Sequence, residues 1–165
     1  VFTYQGDGDL AAIGVAETLH AINRGENILI VFMNNAVYGM TSGQMAPTTL
    51  PGMHTTTSPD GRDVGYYGAP IKVSELMSNL PGSFYVTRQA VNNPNAVRRT
   101  KKALLNAFKY QQLHKGTCLV EIIGNCPSNW KMTPVEAAKF IDEEMIKTFP
   151  LGDIKVPHGD DSKIY

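Results

Sequence analysis

The sequence predicts an α/β fold, a mostly parallel sheet with helices on both faces. Short apolar runs of strand length recur along it, segments with helical spacing separate them, and Gly, Pro or Asn marks most of the junctions. Strands that alternate with helices need right-handed crossovers, and such crossovers lay helices on each side of a parallel sheet.

The elements follow in order. Residues 1–4 are apolar and read as a strand. Leu10, Ile13, Gly14, Glu17, Leu19, Ala21 and Ile22 keep a spacing compatible with one helix, which Arg24-Gly25 ends. Residues 28–33 are an apolar run of strand length. Residues 34–65, rich in Thr, Pro, Gly and Ser, carry little periodicity and predict a long loop; loops of that length inside a compact domain are more often functional than decorative. A short helix over 74–80 with Ser74 as its cap, a Pro81-Gly82 turn and a strand over 83–88 come next. Asn93-Pro94 offers a cap and a first-turn proline to a helix that carries Val97, Leu104, Leu105 and Phe108 and closes at Lys115-Gly116. Residues 117–123 are the next buried strand. Thr133-Pro134-Val135-Glu136 joins a first-turn proline to a Thr-x-x-Glu capping box, opening a helix that runs to about Lys147 and ends before Pro150.

A length of 165 residues suits one domain with a single well-buried core. Fifteen basic and fifteen acidic residues cancel, with no basic stripe, so neither nucleic acid nor an anionic membrane surface is an expected partner. The longest wholly apolar runs fall well short of the roughly 20 residues a membrane helix needs. Two cysteines, Cys118 in an apolar strand pattern and Cys126 in a turn, do not make a disulfide framework, and a reducing cytoplasm is the expected setting. The chain opens on Val1 within a strand pattern and without an initiator methionine, which predicts a preceding segment.

Gly6-Asp7-Gly8-Asp9 directly follows the first strand, and Asn34-Asn35 follows the second. Two close glycines let the backbone turn and approach a ligand, and the helix that follows aims its unpaired N–H groups at an anion. Both motifs therefore fall at the carboxyl ends of neighbouring parallel strands, where open α/β sheets bind their ligands. A diphosphate with Mg²⁺ fits, because Mg²⁺ takes oxygen ligands and shares them with substrate phosphates. Asp7, the Asn35 side chain and the Val37 carbonyl are the expected protein ligands. Asp9 is expected as the helix cap, and Gly8 as the point of backbone approach to the diphosphate. Plainer readings stand beside these: Asp7 as the cap, Asn35 as a turn residue, and Tyr38 to Gln44 as a surface turn punctuated by Gly39 and Gly43.

The string from Asn34 to Thr49, Asn-Asn-Ala-Val-Tyr-Gly-Met-Thr-Ser-Gly-Gln-Met-Ala-Pro-Thr-Thr, taken with Gly6-Asp7-Gly8, resembles the thiamine diphosphate fingerprint of beta subunits of 2-oxoacid:ferredoxin oxidoreductases. Cys126-Pro127-Ser128-Asn129-Trp130 and Thr133-Pro134-Val135-Glu136-Ala137 are most similar to the branched-chain, 2-ketoisovalerate members. The resemblance implies an N-terminally truncated thiamine diphosphate-binding domain over residues 1–157, followed by a polar tail over 158–165. It implies thiamine diphosphate and Mg²⁺ as cofactors, with Gly6, Asp7, Gly8, Asp9, Asn35, Val37, Tyr38, Met40 and Thr41 as contacts, and it selects Asn35 over Asn34 as the metal ligand. Met40, Ser42 and Gln44 would border the substrate. The activity implied is oxidative decarboxylation of a 2-oxoacid to an acyl-CoA, with ferredoxin as electron acceptor. The glutamate that activates the cofactor would lie on a partner chain, so catalysis would need alpha/gamma-type subunits.

In iron–sulfur members a cysteine before proline at this point ligates a [4Fe–4S] cluster, so the resemblance makes Cys126 a ligand whose companion cysteines this sequence does not contain; on its own a turn-lodged cysteine is usually inert. The alternatives are a 2-oxoglutarate or pyruvate member, a non-oxidative thiamine-dependent decarboxylase or synthase, and a non-catalytic anion-binding module. A dicarboxylate needs a cation for its distal carboxylate. Residues 37–44 contain none, and Met40 adapts to a branched apolar chain, though Arg62 or a partner chain stays open as a source of charge. His20, His54, His114 and His158 show no ligand spacing and read as structural or surface residues.

Overall fold

The computed structural model describes residues 1–157; the tail over 158–165, with His158, lies outside the described residues. The strands are β1 (Phe2–Gln5), β2 (Leu29–Asn34), β3 (Val37–Tyr38), β4 (Gln44–Met45), β5 (Ser83–Ala90), β6 (Thr117–Ile123) and β7 (Gly152–Lys155). Five of them form one sheet in the order β1-β2-β6-β5-β7, parallel except for β7, which runs antiparallel to β5. β3 and β4 pair separately as a small antiparallel hairpin. The central strands β2, β5 and β6 are buried nearly end to end, as strands covered on both faces must be.

The helices are α1 (Val15–Asn23), α2 (Val64–Tyr67), α3 (Val73–Ser78), α4 (Pro94–Gln111), α5 (Pro127–Trp130), α6 (Pro134–Phe140) and α7 (Ile146–Thr148). Alternate strand side chains feed two cores. Ile30, Phe32, Val86 and Leu119 pack with Leu10, Ile22, Val73 and Met77 on the side of α1 and α3. Leu29, Val31, Phe84, Cys118, Val120 and Ile122 pack with Ala107 of α4 on the other. A third cluster, which contains Ala36, Val37, Leu50, Ile123, Trp130, Ala137, Ile141, Met145 and Phe149, draws on the last residue of β6 and on the segments that follow β2 and β6. The expected α/β class with helices on both faces is the fold observed.

Local signals set several boundaries. Asn93 caps α4 by accepting the Ala96 N–H at 2.9 Å, with Pro94 in the first turn. Thr133 and Glu136 close the capping box of α6 from both sides, at 3.3 and 2.8 Å. α6 continues through a π-helical turn, Ile141–Met145, into α7, so the expected helix to about Lys147 is present with a bulge in it.

Other expectations are corrected. The single helix after Asp9 is interrupted: a π-helical turn, Asp9–Ile13, precedes α1, and Gly14 joins them with its N–H 2.6 Å from the Asp9 carbonyl. A Cβ at Gly14 would lie 2.5 Å from that oxygen, so the close approach needs glycine. Ser74 does not cap α3; it sits inside the helix, buried, and donates to Glu121 at 2.5 Å. α4 stops at Gln111, and His114 adopts a positive φ of 54° before Gly116. β7, unexpected from the sequence, completes the sheet.

The long loop is more ordered than its composition implies. Besides the β3–β4 hairpin, the buried Arg62 guanidinium donates to the carbonyls of Ala46, Pro47, Thr49, Tyr67, Gly68 and Ala69, at 2.8 to 3.4 Å. One cation thus satisfies carbonyls that no regular element pairs, and ties the loop to the turn after α2. Among the described residues no helix is long and apolar enough to cross a membrane.

Candidate functional site

The chain leaves β1 at Gln5, and its first helical turn begins at once, so Asp7 stands at the carboxyl end of the strand. Asp9 is not the cap expected of it: Gly8 precedes the π-helical turn with no side-chain cap, and Asp9, its first residue, reaches back so that its carboxylate accepts the Gly6 N–H at 3.0 Å. Asp7 is buried and its carboxylate faces the end of β2. Its Oδ2 accepts the main-chain N–H of Asn35 at 3.0 Å and of Val37 at 3.4 Å, and its Oδ1 accepts the Thr48 hydroxyl at 2.7 Å. Burial pushes the Asp7 carboxyl up to about 7, against the three hydrogen bonds, with the negative charge of Glu121 adding to the rise.

Asn34 and Asn35 divide the work. Asn34 is fully buried; its amide donates to Glu121 at 2.7 Å and its oxygen accepts the Ala36 N–H at 3.1 Å. Asn35 is half-buried, and its side-chain oxygen accepts the Val37 N–H at 3.3 Å, a long bond that leaves a lone pair for another partner. Ala36 between them has φ 59°, so the turn bends through a left-handed residue with a side chain. Thr49 donates to the Ala36 carbonyl at 2.6 Å, and the Trp130 indole N–H donates to the Asn35 carbonyl at 3.1 Å.

A cleft of ≈ 440 Å³ brings together Gly6, Asp7, Gly8, Asp9, Asn35, Val37, Tyr38, Met40 and Thr41, with Ile13, Gly39 and Cys126. The Tyr38 ring lies over Gly8, where an added Cβ would sit 3.5 Å from it. Desolvation and the nearby Asp7 charge both raise the Tyr38 hydroxyl above its ordinary value. Met40 is 99% exposed and so stands at the rim.

Ser42 and Gln44 are placed elsewhere. Ser42, with φ 82°, lines a neighbouring hollow of ≈ 350 Å³ with His54, Ser128, Asn129 and Lys131. The Gln44 amide is engaged with Thr41, accepting its hydroxyl and donating to its carbonyl. Arg62 is spent on the six carbonyls above, so the loop's arginine does not offer its charge to a ligand.

The donor set suits a hard divalent cation. One buried carboxylate, one amide oxygen and one main-chain carbonyl are oxygen ligands of the Mg²⁺ type, and a carboxyl held near 7 by burial is one that a cation would ionise fully. The residues present therefore fit Mg²⁺. They do not by themselves fit an iron–sulfur cluster: among the described residues no group of three or more His, Cys, Asp or Glu side chains gathers to hold a metal. Cys126 stands at the edge of the Asp7 cleft and accepts an N–H from Asn129 at 3.0 Å.

Thr48, Asn129 and Trp130 are contacts that sequence reasoning passed over as individual residues. All three lie inside quoted motif strings, but only the folded loop brings them to the site.

Residues 1–122 match the family model described as thiamine pyrophosphate enzyme, C-terminal TPP binding domain. The chain is 45% identical over 155 residues to the ketoisovalerate oxidoreductase subunit VorA of Methanothermobacter thermautotrophicus, covering 94% of this chain and 32% of that protein. It is 35% identical over 143 residues to the 2-oxoglutarate synthase subunit KorB of Archaeoglobus fulgidus, covering 87% and 49% of the two. Among solved structures, the 2-oxoglutarate:ferredoxin oxidoreductase from Magnetococcus marinus with 2-oxoglutarate, coenzyme A and succinyl-CoA bound is similar at a TM-score of 0.65 and 23% identity, over 93% of this chain and 55% of that one, a likeness of fold. The chain thus spans about a third of VorA's length and about half of KorB's.

Proposed function

Because the chain belongs to the family of C-terminal TPP-binding domains of thiamine pyrophosphate enzymes, we propose that it holds the Mg²⁺-diphosphate end of thiamine diphosphate in a 2-oxoacid:ferredoxin oxidoreductase. The observation that carries this is the buried Asp7 carboxylate, locked onto the main chain of the Asn35 turn across two neighbouring strand ends. Asp7, the Asn35 side-chain oxygen and the Val37 carbonyl would ligate Mg²⁺. With the Gly6 N–H taken by Asp9, the turn from Asp7 to Asp9 would offer the diphosphate the N–H groups that no preceding helical turn can satisfy, and Gly8 keeps the backbone bare at the point of approach. Tyr38, Met40 and Thr41 also line the cleft, Met40 at its rim.

Bound thiamine diphosphate supplies the carbanion chemistry by which a 2-oxoacid loses CO₂. This chain's part is to bind and orient. In this reading the glutamate that activates the cofactor lies on a partner subunit. On this reading the assembled enzyme has alpha/gamma-type partner subunits and operates in the cytoplasm. It would convert the 2-oxoacid to an acyl-CoA with ferredoxin as the electron acceptor; Cys126 would be this chain's ligand to an iron–sulfur cluster, which would supply one-electron transfer, with the other ligands coming from the rest of the assembled enzyme.

The substrate in this reading is 2-ketoisovalerate. A second carboxylate would need a cation, and the cleft lining includes neither Lys nor Arg, while Arg62 is fully engaged. Met40 at the rim suits a branched apolar chain. The test compares kcat/KM of the assembled enzyme for 2-ketoisovalerate, pyruvate and 2-oxoglutarate with a viologen acceptor. A preference for 2-ketoisovalerate is expected; a preference for 2-oxoglutarate would overturn the substrate assignment.

A further inference from the structure

The core face under α3 contains an unusual group of polar side chains. Arg88 on β5 and Glu121 on β6 are register partners, and both side chains are fully buried. Glu121 Oε2 accepts from Arg88 Nε at 2.8 Å and from the Ser74 hydroxyl at 2.5 Å, while its Oε1 accepts from the Asn34 amide at 2.7 Å. Arg88 spends its remaining N–H groups on Glu75 and on the Pro150 carbonyl, and its guanidinium lies over the Phe149 ring.

Removing two charges from water is costly, and apolar replacements of a buried ion pair are often as stable or more so. The pair therefore needs another explanation, and its connections provide one. Glu121 fixes the Asn34 amide, which leaves the Asn34 oxygen aimed at the Ala36 N–H. That bond supports the left-handed Ala36, and Ala36 is the bend that carries Asn35 and Val37 back onto Asp7. Left-handed backbone at a residue with a Cβ persists only where its surroundings over-determine it.

We propose that Glu121 is the positioning residue of the Asn35 ligand turn, acting through the Asn34 side chain and held in place by Arg88 and Ser74. The proposal rests on the Mg²⁺ site assigned above. It makes the buried ion pair a device for geometry: Arg88 orients Glu121, Glu121 orients Asn34, and Asn34 sets the bend that presents two of the three metal ligands.

The test uses the full polypeptide in its assembled complex, with Mg²⁺ affinity measured calorimetrically at saturating thiamine diphosphate and thermal midpoint measured alongside. The variants are Asn34→Ala, the double variant Glu121→Leu with Arg88→Met, and all three changes together. The double variant is expected to melt within a few degrees of wild type yet bind Mg²⁺ at least tenfold more weakly. Asn34→Ala should give a similar loss, and the triple variant should be no worse than either, because residues acting in one chain of contacts are not additive. Glu121→Gln keeps the volume but has one acceptor oxygen, which Arg88 and Ser74 claim, so its NH2 faces the Asn34 amide; it should also lose affinity, and it serves if the double variant does not fold. Mg²⁺ affinity within twofold of wild type in Asn34→Ala or in any folded Glu121 variant, or additive losses, would overturn the proposal. Failure of the wild-type complex to bind Mg²⁺ with thiamine diphosphate would instead remove the site on which it rests.

Discussion

Asp7 and Asn35, 28 residues apart in sequence, meet at the ends of two parallel strands, the Asp7 carboxylate accepting the Asn35 main-chain N–H at 3.0 Å. This single contact holds one of the proposed metal ligands against the turn that bears the other two. It also leaves a desolvated carboxyl whose proton a cation would displace, and that has a measurable consequence.

In the metal-free protein the folded Asp7 value, about 7, lies above its ordinary value of 3.8. The folded state then holds a proton that the unfolded state has lost, so stability should fall as pH rises from about 4 to about 7 and level off above. Glu75, whose carboxyl lies below its ordinary value through the Arg88 hydrogen bond and charge, which together outweigh its desolvation, acts with the opposite sign. Its contribution is complete above 4.5 and lost below, so it overlaps the Asp7 window only at the acid end. Mg²⁺ affinity should weaken about tenfold per pH unit below 7, since one proton competes for one carboxylate. Urea midpoints and Mg²⁺ titrations between pH 4 and 8 measure both; a flat Mg²⁺ affinity across that range would contradict the Asp7 environment described here.

Thr48 donates to Asp7 Oδ1 and is completely buried. Thr48→Val leaves that oxygen without its donor, which should cost about 1–3 kcal/mol of stability by denaturant unfolding. Thr48→Ser keeps the hydroxyl and should lie close to wild type in Mg²⁺ affinity. Equal affinities in the valine and serine variants would show that the hydroxyl does not set the carboxylate.

The two thiols differ in environment. Burial pushes the Cys118 thiol up to about 12, in the middle of β6, whereas Cys126 is half-buried at the cleft. Iodoacetamide on the folded protein freed of any iron–sulfur cluster, read by mass spectrometry, should label Cys126 and spare Cys118. Labelling of both at similar rates would mean that the β6 core opens.

Much of this was legible because the signals were local. Asn93-Pro94 and Thr133-Pro134-Val135-Glu136 name their helix starts outright, and the apolar run before Asn34 can only be a covered strand. The Asp7–Asn35 pairing followed from where those elements end. What stayed hidden was set by tertiary contacts. β7, Gly-Asp-Ile-Lys, has no apolar run of its own and exists because β5 offers it an edge. Ser74 looked like a cap because serine commonly is one, and Glu121 claims it instead. Thr48 sits in the part of the long loop that Arg62 holds by its carbonyls, and Trp130 reaches the Asn35 carbonyl from α5, placements that no spacing announces.

The central claim is that Asp7 and Asn35 hold Mg²⁺ against the diphosphate of thiamine diphosphate. Calorimetric titration of thiamine diphosphate into the assembled complex, with and without Mg²⁺, tests it most directly in wild type, Asp7→Asn and Asn35→Ala. The wild-type complex should bind the cofactor in a Mg²⁺-dependent way and each variant should lose that dependence, whereas unchanged Mg²⁺-dependent affinity in both variants would contradict the assignment.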